Sequence, residues 1–197
     1  MPAWSALDTV LAQARAAEQA GSVTQAATLL DAHAGAFSGS SGLWNYARGT
    51  LAFRMGQADA ALACFEAAVK LEPEVAEYRA NLGAALLDQS RRTGSTVPLE
   101  RARRELEEAL RWGPTLTTTR VNLGLCLLHQ ALPAEALAQF DQALATDPGD
   151  VAAMFNRAAA LKQLGRSAES LAMLDQVLSQ KPGFDLALQA KARLAGR

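Results

Sequence analysis

The sequence predicts an all-α fold: a right-handed superhelical solenoid of helix-turn-helix repeats with a C-terminal capping helix. Three observations carry that expectation. The segments ANLGAALLDQ (80–89), VNLGLCLLHQ (121–130) and FNRAAALKQL (155–164) are versions of one helix. A second pattern recurs beside it, an alanine, a large apolar residue four later, a small residue three later and a proline five later. It reads Ala61, Phe65, Ala68, Pro73, then Ala102, Leu106, Ala109, Pro114, then Ala136, Phe140, Ala143, Pro148. Laid in register, the units begin near Leu7, Gly42, Ala76, Thr117 and Val151, with a last segment from Asp185, at spacings of 35, 34, 41, 34 and 34 residues. Self-similarity at such a period marks stacked repeats, each too small to bury its apolar face alone.

The elements follow in order. In the first unit (7–41), Ser5 and Asp8 are spaced to cap a helix, with Trp4 as an apolar staple outside it. Its second helix is a weak copy, Ala26, Leu30, His33, Ser38, with no proline and with His33 expected as a partly buried structural residue. The second unit (42–75) has its turn at Gly56 and closes at Pro73. In the third unit (76–116), the first helix is expected to end near Gln89 and the second to begin near Pro98, whose fixed φ suits a first helical position. The spacing of 41 against 34 then puts seven extra residues in the turn, as an exposed basic loop within SRRTGSTVPLERARRE (90–105). The fourth unit (117–150) keeps the full pattern, and the fifth (151–184) carries the looser copy Ser170, Leu174, Val177, Pro182. The segment 185–197, with Leu186, Leu188 and Leu194 among Gln189, Lys191 and Arg193, is amphipathic and reads as the solvating cap of a single domain spanning 1–197.

Each signature residue has a physical reason. Small residues in mid-helix let a partner helix approach, large apolar residues fill the space between, and proline ends each unit because it cannot continue a helix. Helices of about 14 residues are marginal alone, so stacking must stabilise them. The period, the mid-helix glycines Gly49, Gly83 and Gly124, the turn glycines Gly21, Gly56 and Gly165, the Ala-Phe-Ala run and the closing proline resemble tetratricopeptide repeats over about residues 7–184.

Composition narrows the function classes. Half the residues are apolar and the formal charge is -1, so neither disorder nor global attraction to nucleic acid or anionic lipid is expected. Residues 91–120 are the one basic island, with 7 basic and 4 acidic groups. Cys64 and Cys126 have no partner at metal-ligand spacing and read as reduced core residues. No signal peptide or apolar run long enough to span a bilayer is evident, and the expected location is cytoplasmic. No phosphate loop, His-Glu-x-x-His pattern or activated nucleophile is present, so no enzyme activity, cofactor or metal is expected.

The family resemblance implies a protein–protein interaction module whose first helices line a concave groove for a peptide or helical segment of a partner protein. Transferring the groove-facing places of the repeat gives Tyr46, Thr50, Phe53, Arg54, Asn81, Leu87, Val121, Asn122, Leu125, His129, Phe155, Asn156 and Lys162. Asn81, Asn122 and Asn156 share one place and are expected to form a column of amides able to bridge to peptide backbone, or to be merely a common residue of the repeat. The apolar members favour an amphipathic helix or apolar side chains as ligand. The family's clamp for chaperone carboxylate tails is disfavoured, because its basic places hold Glu77 and Asn81, Thr118 and Asn122, or Ala152 and Asn156. Two alternatives stand beside this reading. One is self-association into a homo-oligomer. The other is nucleic-acid or anion binding through Arg91, Arg92, Arg101, Arg103 and Arg104, which is disfavoured because interleaved glutamates are spaced to pair them, as in Arg103 with Glu107 and Arg104 with Glu108.

Overall fold

The computed structural model describes residues 3–113 and 115–196; Pro114, expected to close the third repeat, lies outside them, as do the side chains of residues 3–5 and 195. The described residues form α1 (Ala3–Gln19), α2 (Val23–Asp31), α3 (Ala34–Phe37), α4 (Gly42–Arg54), α5 (Ala58–Leu71), α6 (Ala76–Thr93), α7 (Val97–Trp112), α8 (Thr117–His129), α9 (Pro133–Thr146), α10 (Val151–Gln163), α11 (Ser167–Gln180) and α12 (Asp185–Ala195), with no strand among them. The helix pairs expected from the repeat are present, and α12 packs on α11. Helix α1 begins at Ala3, so Ser5 lies inside it rather than capping it. Tertiary contacts divide the chain into two compact units, α1–α7 and α8–α12. Among the described residues no helix is long and apolar enough to cross a membrane.

One contact repeats in both units. The eighth residue of each repeat is Ala14, Gly49, Gly83, Gly124 or Ala158, all buried. A Cβ built on Gly49 would lie 2.8 Å from the ring of Phe65, on Gly83 2.5 Å from Leu106, and on Gly124 2.4 Å from Phe140. The second helices answer with Ala26, Ala61, Ala102 and Ala136, all fully buried, then with Leu30, Phe65, Leu106, Phe140 and Leu174. Ser170 replaces the alanine in the fifth repeat and stays satisfied by donating its hydroxyl to the Ala158 carbonyl at 2.8 Å.

The seven extra residues of the third repeat are not in the turn. Helix α6 has 18 residues where α4, α8 and α10 have 13, and α7 has 16 where α5, α9 and α11 have 14, which accounts for all seven. Only Gly94, Ser95 and Thr96 separate α6 from α7, as many residues as in the other turns. Gly94, in the left-handed region at φ 69, ends α6 by donating its N–H to Ser90 O at 2.8 Å, and Ser90 Oγ donates to Ser95 O at 2.6 Å. The expected basic loop is therefore helix on both sides of a tight turn. Residues 90–93 continue a good helix-forming run, and it is glycine that stops it.

The first repeat departs in the other direction. Its third packing place holds His33 where Ala68, Ala109 and Ala143 are fully buried. An imidazole does not fit that contact. Helix α2 ends at Asp31, His33 is exposed rather than partly buried, its Nδ1 donates to Leu29 O at 2.9 Å, and α3 returns Phe37 to the core. Buried Asn45 holds the resulting bend by donating to Ser38 O at 2.7 Å and Ser41 O at 2.8 Å.

Successive repeats are also tied by ion pairs in register. The twenty-fifth residue of one repeat meets the seventh of the next segment in Asp31–Arg48, Asp141–Arg157 (2.6 Å) and Asp175–Lys191 (2.5 Å). Where the seventh residue is instead Leu82 or Leu123, the acid turns to another arginine, Glu66 to Arg101 and Glu107 to Arg103.

Four turns share one backbone geometry. The middle residue has positive φ, at 83° in Gly21, 73° in Gly56, 58° in Ala131 and 76° in Gly165. The next N–H donates five residues back at 2.9 Å, as from Gln57 to Ala52 O and from Leu132 to Leu127 O. Only Ala131 carries a Cβ there, and left-handed backbone costs a non-glycine residue about 1–2 kcal/mol. Ala131→Gly should therefore raise stability by about 1 kcal/mol, measured as a higher urea midpoint at unchanged slope; a lower midpoint would contradict the turn geometry.

Candidate functional site

The first helices of the α1–α7 unit carry a cleft. Helices α1, α2 and α4 enclose a cavity of about 160 Å³ lined by Leu11, Leu30, Leu43, Tyr46, Leu51 and Thr50 among others, with Arg15 and Glu18 at its polar side. Of the expected groove residues, Tyr46 and Thr50 line it directly. Thr50 Oγ1 donates to Tyr46 O at 3.0 Å. Arg54 is exposed but pairs with Glu18, and Phe53 is exposed at 46%.

Tyr46 is held from behind as well as open in front. Its ring stacks on Tyr78 at 5.0 Å and tilts against Phe65 at 6.2 Å. Burial pushes the Tyr46 hydroxyl pKa up, Glu77 adds to that, and hydrogen bonding from Thr50 and Asn81 opposes it. Asn81 is thus beside Tyr46, but its amide N–H donates to Glu77 O at 2.9 Å within its own helix. Half-buried Cys64 on α5 has its thiol pKa raised by burial, while Cys126 is fully buried, and the two are not joined in a disulfide.

In the α8–α12 unit, Phe155 is half-buried and meets Phe184 edge-on at 5.1 Å, with Lys181 Nζ 5.2 Å from the Phe184 ring. Phe155, Ala158, Ala159, Leu174 and Leu194 line a second cavity, of about 110 Å³, with exposed Lys162 at its edge. Leu125, Asn122 and Asn156 are half-buried on α8 and α10, and His129 is exposed at the end of α8. Among the described residues neither the Asn122 nor the Asn156 side chain has a hydrogen-bond partner.

Two expected groove residues belong to the core. Leu87 is 4% exposed, because the longer α6 and α7 extend their contact past its place, whereas Phe53 and Lys162 at the equivalent place are open. Val121 is 7% exposed, whereas the larger rings of Tyr46 and Phe155 at the equivalent place are half-buried. Conversely, Leu11 and Arg15 line the cleft although they are not among the expected groove residues; they hold the fifth and ninth places of the first repeat, equivalent to Tyr46 and Thr50.

The basic cluster is largely neutralised. Arg92 pairs with Asp88 at 3.0 Å and Asp59 at 3.5 Å, Arg101 with Glu66, and Arg103 with Glu107 at 2.7 Å as expected. Glu108 pairs with Arg111 at 2.8 Å rather than with Arg104. Only Arg91 and Arg104 of the five lack an ion-pair partner among the described residues, and no aromatic side chain stands between them for base stacking.

Behind the first cleft, burial pushes the Tyr78 hydroxyl pKa up to about 12, with Glu72, Glu77 and Tyr46 adding to it. The folded protein therefore holds this proton more tightly than the unfolded chain. Stability from Tyr78 is complete below the unfolded value near about pH 10 and is lost as pH rises through the folded one. Urea unfolding of Tyr78→Phe should show a shallower loss of stability than the parent chain above pH 10; parallel losses would contradict the assignment.

Models of the tetratricopeptide repeat family match residues 46–94 and 127–194, together more than half of the chain. No curated protein sequence matches it. Among solved structures, PilF of Pseudomonas aeruginosa aligns at 21% identity over 100% of this chain and 86% of its own, with a TM-score of 0.81. YrrB, a tetratricopeptide repeat protein described as having an unusual peptide-binding site, aligns at 22% identity over 98% of each chain with a TM-score of 0.75. A thermophilic tetratricopeptide repeat protein of Thermus thermophilus aligns at 21% over 96% of this chain and 99% of its own, with a TM-score of 0.72. At these identities the likeness is one of fold. With the repeat register, the buried small-residue contacts and the family matches in agreement, the chain belongs to the tetratricopeptide repeat family.

Proposed function

We propose that this scaffold captures a segment of a partner protein on the faces of its first helices, with no chemistry of its own. The tetratricopeptide repeat fold is a protein–protein interaction scaffold, and the finer reading rests on one observation. The cleft between α1 and α4 is open and largely apolar, with the core residues Ala14, Leu30 and Leu51 in its lining beside the more exposed Leu11, Leu43, Tyr46 and Thr50. Tyr46 lines it together with Thr50 and Leu43. The description of YrrB as a peptide-binding relative of the same fold supports the reading. In the α8–α12 unit, taken by itself, the half-buried amides of Asn122 and Asn156 offer donors and acceptors of the kind that read a peptide backbone.

The test uses peptides selected by the purified protein from a displayed random library, then photo-crosslinked to it. Crosslinks are expected on α1, α4, α8 and α10. Thr50→Trp, which fills the first cleft, should weaken peptides crosslinked there by roughly tenfold or more, and the pair Asn122→Ala with Asn156→Ala should weaken those on α8 and α10 by about fivefold. Crosslinks confined to α5, α7, α9 and α11, with affinities unmoved by these variants, would contradict the proposal.

A further inference from the structure

We infer that the ligand segment pairs a large apolar side chain with an adjacent carboxylate, the apolar group entering the α1–α4 cleft and the carboxylate meeting Arg15. This rests on the reading just given and adds the chemistry of the occupant. A cavity of about 160 Å³ walled by leucines is the size of site that takes one branched or aromatic side chain; a dry apolar cavity of about 150 Å³ accepts benzene.

The polar side of the cleft decides what stands next to that side chain. Of its charged residues, Glu18 is already neutralised by Arg54 from α4. Arg15 is exposed, one turn before Glu18 on α1, and has no ion-pair partner among the described residues. The cleft thus presents one uncompensated guanidinium, whose planar fork suits a carboxylate. A ligand carrying Lys or Arg at that point would set like charges together.

The α8–α12 unit repeats the arrangement with different residues. Its smaller cavity, about 110 Å³, has Lys162 as its single charged lining residue, exposed and without an ion-pair partner among the described residues. Two apolar clefts, each with one unpaired cation at the edge, favour the same ligand chemistry on independent elements. That arrangement is not the carboxylate clamp of the family, whose first two places in the first repeat hold Leu11 and Arg15 where the clamp has Lys and Asn.

The test is an array of synthetic 12-residue peptides with Leu, Phe or Ala at a central place and Asp, Ala or Lys beside it, probed with the intact chain. Leu or Phe beside Asp should bind about fivefold more tightly than beside Ala, and beside Lys more weakly still. Arg15→Gln should erase that preference at the first cleft and Arg15→Glu should invert it, with the thermal midpoint unchanged because Arg15 is exposed and unpaired. Lys162→Glu should act likewise at the second cleft. If apolar peptides bind regardless of neighbouring charge and Thr50→Trp still blocks them, the charge inference falls while capture in the cleft stands. If no array peptide binds, or binding ignores Thr50→Trp and both charge reversals, the inference and the cleft reading fall together.

Discussion

The whole arrangement depends on a place where no side chain fits. At the eighth residue of each repeat, the first helix offers only hydrogen or methyl to a large residue of its own second helix, and in the fourth repeat a Cβ on Gly124 would sit 2.4 Å from Phe140. Close approach at that point lets Phe65, Leu106 and Phe140 be almost completely buried between helices that would be marginal alone. It also fixes how the two helices rotate. The alanines of the second helix turn inward toward the first, whose other sides in part pack on a neighbouring repeat, as α6 does on α5 and α10 on α9, and in part are left open.

That leftover face is where function can reside. A residue there is either short and buried, as Val121 is, or long and half-held, as Tyr46 and Phe155 are by Tyr78 and Phe184. Half-held aromatic rings give a ligand surface that is already ordered, so little further entropy is lost on binding. The ion pairs follow a compatible logic. Those in the inter-repeat register lie between a second helix and the next first helix, tying neighbours together, and two of the cations outside any ion pair among the described residues, Arg15 and Lys162, border the two clefts.

Much of this was legible in the sequence because the repeat states each constraint several times. Gly49, Gly83 and Gly124 recur at one place, and three copies of the Ala-Phe-Ala type pattern give the second helices directly. The failures came where a residue was read by composition or by template. Arginine, glycine and hydroxyl residues in 90–96 look like loop, yet helix continues to Thr93 and Gly94 alone makes the turn. The place of Leu87 is groove-facing in the repeat, and Phe53 holds it in the open on a 13-residue helix, but the helix of Leu87 has 18 residues and buries it. The register of Asp31, Asp141 and Asp175 with Arg48, Arg157 and Lys191 was also readable, since each pair is separated by 16 or 17 residues, but charge was counted by segment rather than by place. His33 shows the opposite lesson: a packed place in the template became a helix break because the residue there could not be packed.

The most direct measurement of the central contact is a double-mutant cycle on Gly124 and Phe140, read by urea unfolding. Gly124→Ala should cost about 1–3 kcal/mol through overpacking, outweighing the roughly 1 kcal/mol that alanine adds to a helix. Phe140→Leu should cost stability through lost burial, yet the two together should cost at least about 1 kcal/mol less than their sum, because the smaller side chain makes room for the methyl group. Additive costs, or a Gly124→Ala chain more stable than the parent, would contradict the claim that this close approach sets the packing of the repeat.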